Sequence, residues 1–176
     1  MSLGTYRTKT YIAADWTDDK DAVDEIYKWK NSSHWNFDFV DAHDLTQARD
    51  SSLNCSIKSS LKQRMDVSKT FVLIVGNKTS TLRSGSCQYC SYYNAWLGYC
   101  SHGHSIDQRS YIEYECQKAI EANMKIVVLY NSSYVDKERC PKVIRQCGKH
   151  IPMLYWKGMN LYWDYETVRN AILGEC

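Results

Sequence analysis

The chain has 176 residues, of which 44% are hydrophobic and 24% charged, with 2 Pro and a formal net charge of +2. This balance excludes a disordered or linker-rich chain and a polybasic nucleic-acid binder, and the length suits one domain spanning 1–176 with its own core. No run of about 18 apolar residues is present, so no membrane-spanning helix is expected. No charged stretch leads into an apolar one near the start, so no secretory leader is expected, and Met1-Ser2-Leu3 is set aside from fold reasoning. Without a leader, the eight Cys read as reduced thiols of a cytoplasmic protein.

The first apolar run, Thr10-Tyr11-Ile12-Ala13-Ala14, is a short strand that ends in Asp15-Trp16. The acidic stretch 18–24 then opens a helix carrying Val23, Ile26 and Tyr27, because negative charge favours the positive end of the helix dipole. Phe37-Phe39-Val40 mark a second strand over 37–40 with a polar tail at 41–44. A helix is predicted over 54–65, with Cys55, Ile57, Leu61 and Met65 near one face. The continuous apolar run 69–75 suits a strand buried on both faces, and Gly76-Asn77 breaks it.

A helix over 110–123 has Ile112, Cys116, Ala119 and Ile120 on its inner stripe, and 125–130 is another central strand. A short helix over 140–147 with Pro141 in its first turn, a last strand over 151–156 and a last helix over 165–173 complete the series. Alternating strands and helices of this length predict a five-stranded parallel sheet with helices on both faces, an α/β fold. Cys55 and Cys116 are expected to be small core residues. The segment 79–108 breaks the alternation and reads as an insertion before the fourth strand unit. Ligands of such sheets bind beyond the carboxyl ends of the strands, which directs attention to Asp15, Trp16, Asp41, His43, Asp44, Gly76 and Asn77.

Several motifs are missing from the sequence. There is no G-x-G-x-x-G after the first strand, no G-x-x-x-x-G-K-[ST] and no G-x-S-x-G, which argues against a dehydrogenase, a P-loop nucleotidase and a hydrolase elbow. A phospho-receiver needs an Asp ending the third strand, where Val75-Gly76 stands instead. Cys87-x-x-Cys90 followed by Cys100-Ser101-His102 offers plausible zinc ligands. The bland alternative, thiols in an aromatic lid, is the one adopted, and no metal is expected.

Phe71-Val72-Leu73-Ile74-Val75-Gly76-Asn77-Lys78-Thr79, then Tyr111-Ile112-Glu113-Tyr114-Glu115, then Ala119-Ile120 and Lys125-Ile126-Val127-Val128 form an ordered set. This set resembles the TIR-like domain family of the Thoeris antiphage system, over about the first 130 residues. Ser110, Tyr111 and Ile112 stand where that family often has a Trp before the Tyr-Glu pair, and the insertion is longer than in its shortest members. The resemblance implies a flavodoxin-like TIR fold and NAD as substrate, cut to nicotinamide and an ADP-ribose product by a glycohydrolase or cyclase. By position it implies Glu115 as the catalytic residue. It also implies self-association and a downstream effector reached through a nucleotide signal; the charge balance and the lack of a long apolar run leave neither nucleic acid nor membrane as an expected partner.

Breaking the nicotinamide–ribose bond develops positive charge on the ribose and releases a neutral pyridine, so one carboxylate near the ribose suffices. An exposed helical Glu is the bland reading of Glu115, and Glu113, on another face of the helix, is its control. Trp16 is a candidate to stack on a ring of the substrate, and Asp15 to orient a ribose hydroxyl or to cap the next helix. Asp41 and His43 are further candidates for the same crevice, Asn77 and Thr79 for its edge or for turn chemistry, and Tyr114 as the neighbour of Glu115. The competing functions are a TIR-like interaction module without turnover and a nucleoside deoxyribosyltransferase-like enzyme.

Overall fold

A computed structural model describes residues 7–42 and 53–174. In chain order its main elements are β1 (Lys9–Ala13), α1 (Lys20–Asn31), α2 (Asn54–Asp66), β2 (Ser68–Val75), β3 (Tyr93–Asn94) and β4 (Tyr99–Cys100). They continue with α3 (Tyr111–Glu121), β5 (Lys125–Tyr130), β6 (Lys149–Pro152), β7 (Leu154–Lys157), β8 (Asn160–Trp163) and α4 (Tyr165–Leu173). A parallel sheet runs β1-β2-β5-β6. Tyr11 lies opposite Phe71, and Phe71 opposite Ile126.

The alternation of side chains along a strand divides the core in two. Ile12, Val72, Ile74, Val127 and Leu129 face one side, where they meet Val23, Ile26 and Trp29 of α1 and Val168 and Ile172 of α4. Tyr11, Phe71, Leu73, Val75 and Val128 face the other, against Met65 of α2 and Ile112, Cys116 and Ala119 of α3. Each fully buried aliphatic side chain contributes about 1.5–3 kcal/mol of burial energy, so both helix layers are held by the sheet pattern itself. The result is an α/β fold of the flavodoxin-like, TIR-like kind.

Among the described residues the sheet has four strands where the sequence predicts five. Residues 37–41 do run parallel beside β1, but only one rung forms there. The Thr10 N–H donates to the Val40 carbonyl at 2.8 Å, and the Ala42 N–H to the Thr10 carbonyl at 3.0 Å. Phe37 and Phe39 bury into the α1 side while Asp38 and Val40 stay exposed. The segment is therefore fastened by its aromatic rings more than by a ladder. Counted as an outer rail, it gives the doubly wound order 2-1-3-4-5.

The C-terminal third departs from expectation twice. The predicted helix over 140–147 is replaced by a single 3₁₀ turn, Lys142–Ile144, which follows another at Lys137–Arg139. Ile144 N–H donates to Pro141 O at 3.1 Å, and the Arg145 guanidinium takes the Cys140 carbonyl at 3.0 Å, the acceptor that an α-helix would have used. The predicted strand over 151–156 also splits. β6 stops at Pro152, Met153 is buried, and β7 turns back into β8 as an antiparallel hairpin. Its two-residue turn is Gly158-Met159, and Gly158 has φ +63°, the backbone that such hairpin turns demand. Among the described residues, no helix is long and apolar enough to cross a membrane.

Candidate active site

In a doubly wound sheet the chain order reverses beside β1, and the loops there splay apart to leave a crevice. A cavity of about 280 Å³ occupies this place, near the lower end of the roughly 300–1,000 Å³ usual for small-ligand sites. The loop after β1 supplies Ala14, Asp15 and Trp16 to it, and the loop after β2 supplies Leu82 and Ser84. Ile57, Leu61 and Arg64 of α2 form one wall, and the first turns of α3, from Ser110 to Glu115, form the opposite one.

α3 is set in place by its own start. Ser110 caps it, its Oγ accepting the Glu113 N–H at 3.2 Å, while the Glu113 carboxylate accepts the Ser110 N–H at 2.8 Å. This reciprocal capping box satisfies two N–H groups that a helix end leaves unpaired. Glu113 is thereby committed to structure, and two residues further on Glu115 turns inward. Tyr111 of the same turn donates through its hydroxyl to Asn54 Oδ1 at 2.8 Å and packs its ring on Gly85. Gly85 has φ +93°, and a Cβ there would stand 2.5 Å from that ring, so only glycine permits the approach.

Glu115 is 6% exposed, with its carboxylate at the cavity floor. The Tyr11 hydroxyl, coming up from β1, donates to Glu115 Oε1. Burial pushes the Glu115 carboxyl up to about 7, against the lowering effect of that hydrogen bond and of the nearby Arg64 guanidinium. Burial and the adjoining carboxylate raise the Tyr11 phenol as well, which keeps it a donor. The arrangement holds a carboxyl poised near neutrality, with one oxygen fixed by Tyr11, beside an apolar wall and a cation.

The other predicted residues divide around this centre. Asp15 and Trp16 line the same cavity as Glu115. Asp15 also caps its loop, accepting the Thr17 N–H at 3.0 Å, and Trp16, 47% exposed, leans toward Tyr27 at the rim. Asp41 is off the cavity wall: it is 2% exposed at the single rung beside β1 and accepts the Tyr27 hydroxyl. Asn77 is exposed and accepts from Arg139 at 2.8 Å, while the buried Thr79 hydroxyl accepts the Gly76 N–H at 2.8 Å. Tyr114 points away from the cavity, its ring within 5.2–5.9 Å of the Arg109, Lys58 and Lys118 cations. One residue along a helix is about a quarter turn, which separates Tyr114 from Glu115. His43 and Asp44 lie outside the described residues.

Tyr11, Arg64, Tyr111 and Ser84 are cavity residues that sequence reasoning missed. A Tyr inside an apolar strand was a usable signal for Tyr11, since a buried hydroxyl needs a partner.

The cavity, the sheet order and the inward carboxylate together describe a doubly wound domain with an acidic floor. Residues 11–84 match the family described as Thoeris protein ThsB, TIR-like domain. The TIR-like match thus spans β1 through the loop after β2, which includes two walls of the cavity, and it ends before α3. The match is a similarity to a family of the Thoeris system over less than half of the chain. No curated protein matches the chain.

Proposed function

We propose that the chain is an NAD-cleaving enzyme of antiphage defence, with Glu115 as its catalytic carboxylate. The observation that carries this reading is the buried Glu115 carboxylate, held by Tyr11 on the floor of a cavity at the switch point of a TIR-like sheet. The bond broken is ribose C1′ to the nicotinamide nitrogen, and its electron pair leaves with nicotinamide. Positive charge then spreads over C1′ and the ring oxygen, where an ionised Glu115 in low-dielectric surroundings stabilises it far more than in water. In hydrolysis water bonds to C1′ and its proton passes to Glu115 or solvent. In cyclisation a nitrogen of the substrate's own adenine takes the place of water. Trp16 supplies a face for an aromatic ring at the rim, and Asp15 a hydrogen-bond acceptor for a ribose hydroxyl. Self-association, a cytoplasmic setting and an effector reached through the nucleotide product follow from the same reading.

The test is NAD consumption by concentrated full-length protein, compared with Glu115→Gln and Glu113→Gln. Gln still satisfies the capping box at position 113, so that variant keeps activity. Loss at Glu115 alone supports the proposal. Self-association with no turnover by wild type supports the interaction module, for which the exposed Tyr155, Trp156, Met159, Leu161 and Tyr162 of the β7–β8 hairpin would serve as contact surface. Turnover of nucleosides without NAD supports the transferase.

A further inference from the structure

The Cys-rich excursion plays no part in the proposed chemistry, yet it takes up a defined 3₁₀ turn and a short hairpin. From 87 to 109 no residue is buried, and Tyr89, Trp96 and Leu97 stand exposed. Ordering a backbone costs conformational entropy that apolar burial normally offsets, and a unit without a core needs a cross-link instead. The local hydrogen bonds show where that cross-link belongs. The Cys90 N–H donates to Cys87 O at 2.9 Å, and the Tyr93 N–H to Cys90 O at 3.0 Å. β3 then pairs with β4, which sets Cys100 opposite Tyr93, and the Gly103 N–H closes a turn on Cys100 O at 2.9 Å.

These turns bring Cys87, Cys90, Cys100 and His104 to the walls of one small pocket, which Cys55 of α2 also lines. Its volume is about 10 Å³, room for a single water-sized sphere. All four thiols are free of disulfides. Cys87 Sγ accepts the Asp107 N–H at 3.2 Å, an outer hydrogen bond of the kind that orients a metal-binding thiolate. A disulfide would use two of these sulfurs and leave an imidazole and two thiols around it unexplained.

We propose that Cys87, Cys90, Cys100 and His104 bind one structural zinc ion, with Cys55 as a neighbouring thiol on the α2 wall. Three thiolates and an imidazole form a closed tetrahedral donor set, which suits zinc and leaves no open position for catalysis. Among the described residues, no three such side chains are drawn together tightly enough to hold a metal as they stand. Binding therefore pulls these donors inward from the walls they line and releases thiol protons. The site would fasten the excursion beside Asn54, whose side chain bonds both Ser86 O at 3.2 Å and the Tyr111 hydroxyl of the cavity wall. The proposal stands apart from NAD cleavage, and its readout is metal content.

The experiment is elemental analysis of the purified full-length chain, followed by cobalt substitution and absorption spectroscopy. The expected result is one zinc per chain, retained in Cys55→Ser and Cys147→Ser and lost in Cys87→Ser/Cys90→Ser and in His104→Ala. Cobalt should give tetrahedral bands with thiolate charge transfer. Cys100→His keeps a donor at each position, so it should retain one metal with weaker charge transfer even if the serine variants fold poorly. A metal-free wild type with a Cys87–Cys90 disulfide overturns the proposal, as does zinc retained in the double variant. Zinc lost in Cys55→Ser overturns the ligand set.

Discussion

Glu115 and Asp19 are buried carboxylates raised by their burial, one on each face of the sheet. Glu115 lies over the α2–α3 face, and burial lifts it to about 7. Asp19 lies at the start of α1 on the other face, and burial lifts it to about 6, reinforced by Asp15, Asp21 and Asp18 and opposed by the Asn131 amide at 3.3 Å. Only Glu115 opens onto the switch-point cavity. Asp19 is covered by backbone, so closely that a Cβ at Gly76 would stand 1.9 Å from its Oδ1. Desolvation raises a carboxyl wherever it is buried, so a raised value alone marks no active site; the space in front of it makes the difference.

The sharpest way to break this comparison is turnover. Glu115→Gln should lower NAD cleavage by about 100-fold or more, whereas Asp19→Asn should stay within about threefold of wild type. Activity should rise with pH through about 7, as Glu115 ionises. A folded Asp19→Asn protein without turnover would reverse the assignment.

Stability should move the opposite way. The folded chain holds the Glu115 proton up to about 7, whereas the unfolded chain releases it near the ordinary 4.5. Folding is therefore favoured at low pH and loses that contribution as pH rises from 4.5 to about 7. Glu115→Gln keeps an acceptor for Tyr11 and has no proton to lose. It should be more stable than wild type by on the order of 3 kcal/mol at pH 8 and nearly equal to it at pH 4, measured by urea unfolding. Equal stability at both pH values would show that Glu115 is less confined than its surroundings indicate.

Gly76→Ala tests the closed side. Its methyl group has nowhere to go but into the Asp19 carboxylate, so it should cost about 2 kcal/mol, and Asp19→Asn should not relieve it because the amide is no smaller. Ser110→Ala removes one half of the capping box at the head of α3. A loss of about 1 kcal/mol in thermal unfolding is expected, with a smaller drop in turnover than at Glu115.

The sheet was legible because β2 and β5 are continuous apolar runs that only double-sided burial explains, and the helices between them carry clear apolar stripes. The outer rail at 37–41 was half legible: its alternating aromatics say extended chain, and the one-rung pairing is decided by neighbours. The β7–β8 hairpin was legible in hindsight, since Gly158-Met159 sits between two alternating aromatic stretches. Cys55, expected in the core with Cys116, is half-buried and faces the Cys-rich pocket, because a face of α2 packs on the insertion and not on the sheet. Within the site, Asp15 and Trp16 followed from strand-end logic. Arg64 left no local trace, because its burial arises from α2 and the cavity meeting across distant chain.

Tyr11 and the carboxylate it fixes are 104 residues apart. The first belongs to the stretch that matches the TIR-like family and the second to α3, beyond the end of that match. One side of the chamber and the charge at its floor are thus written in separate lengths of chain and meet only when the sheet closes. A chimera that keeps 11–84 and replaces α3 should keep the walls from β1 and α2 while losing the opposite wall and the carboxylate it carries.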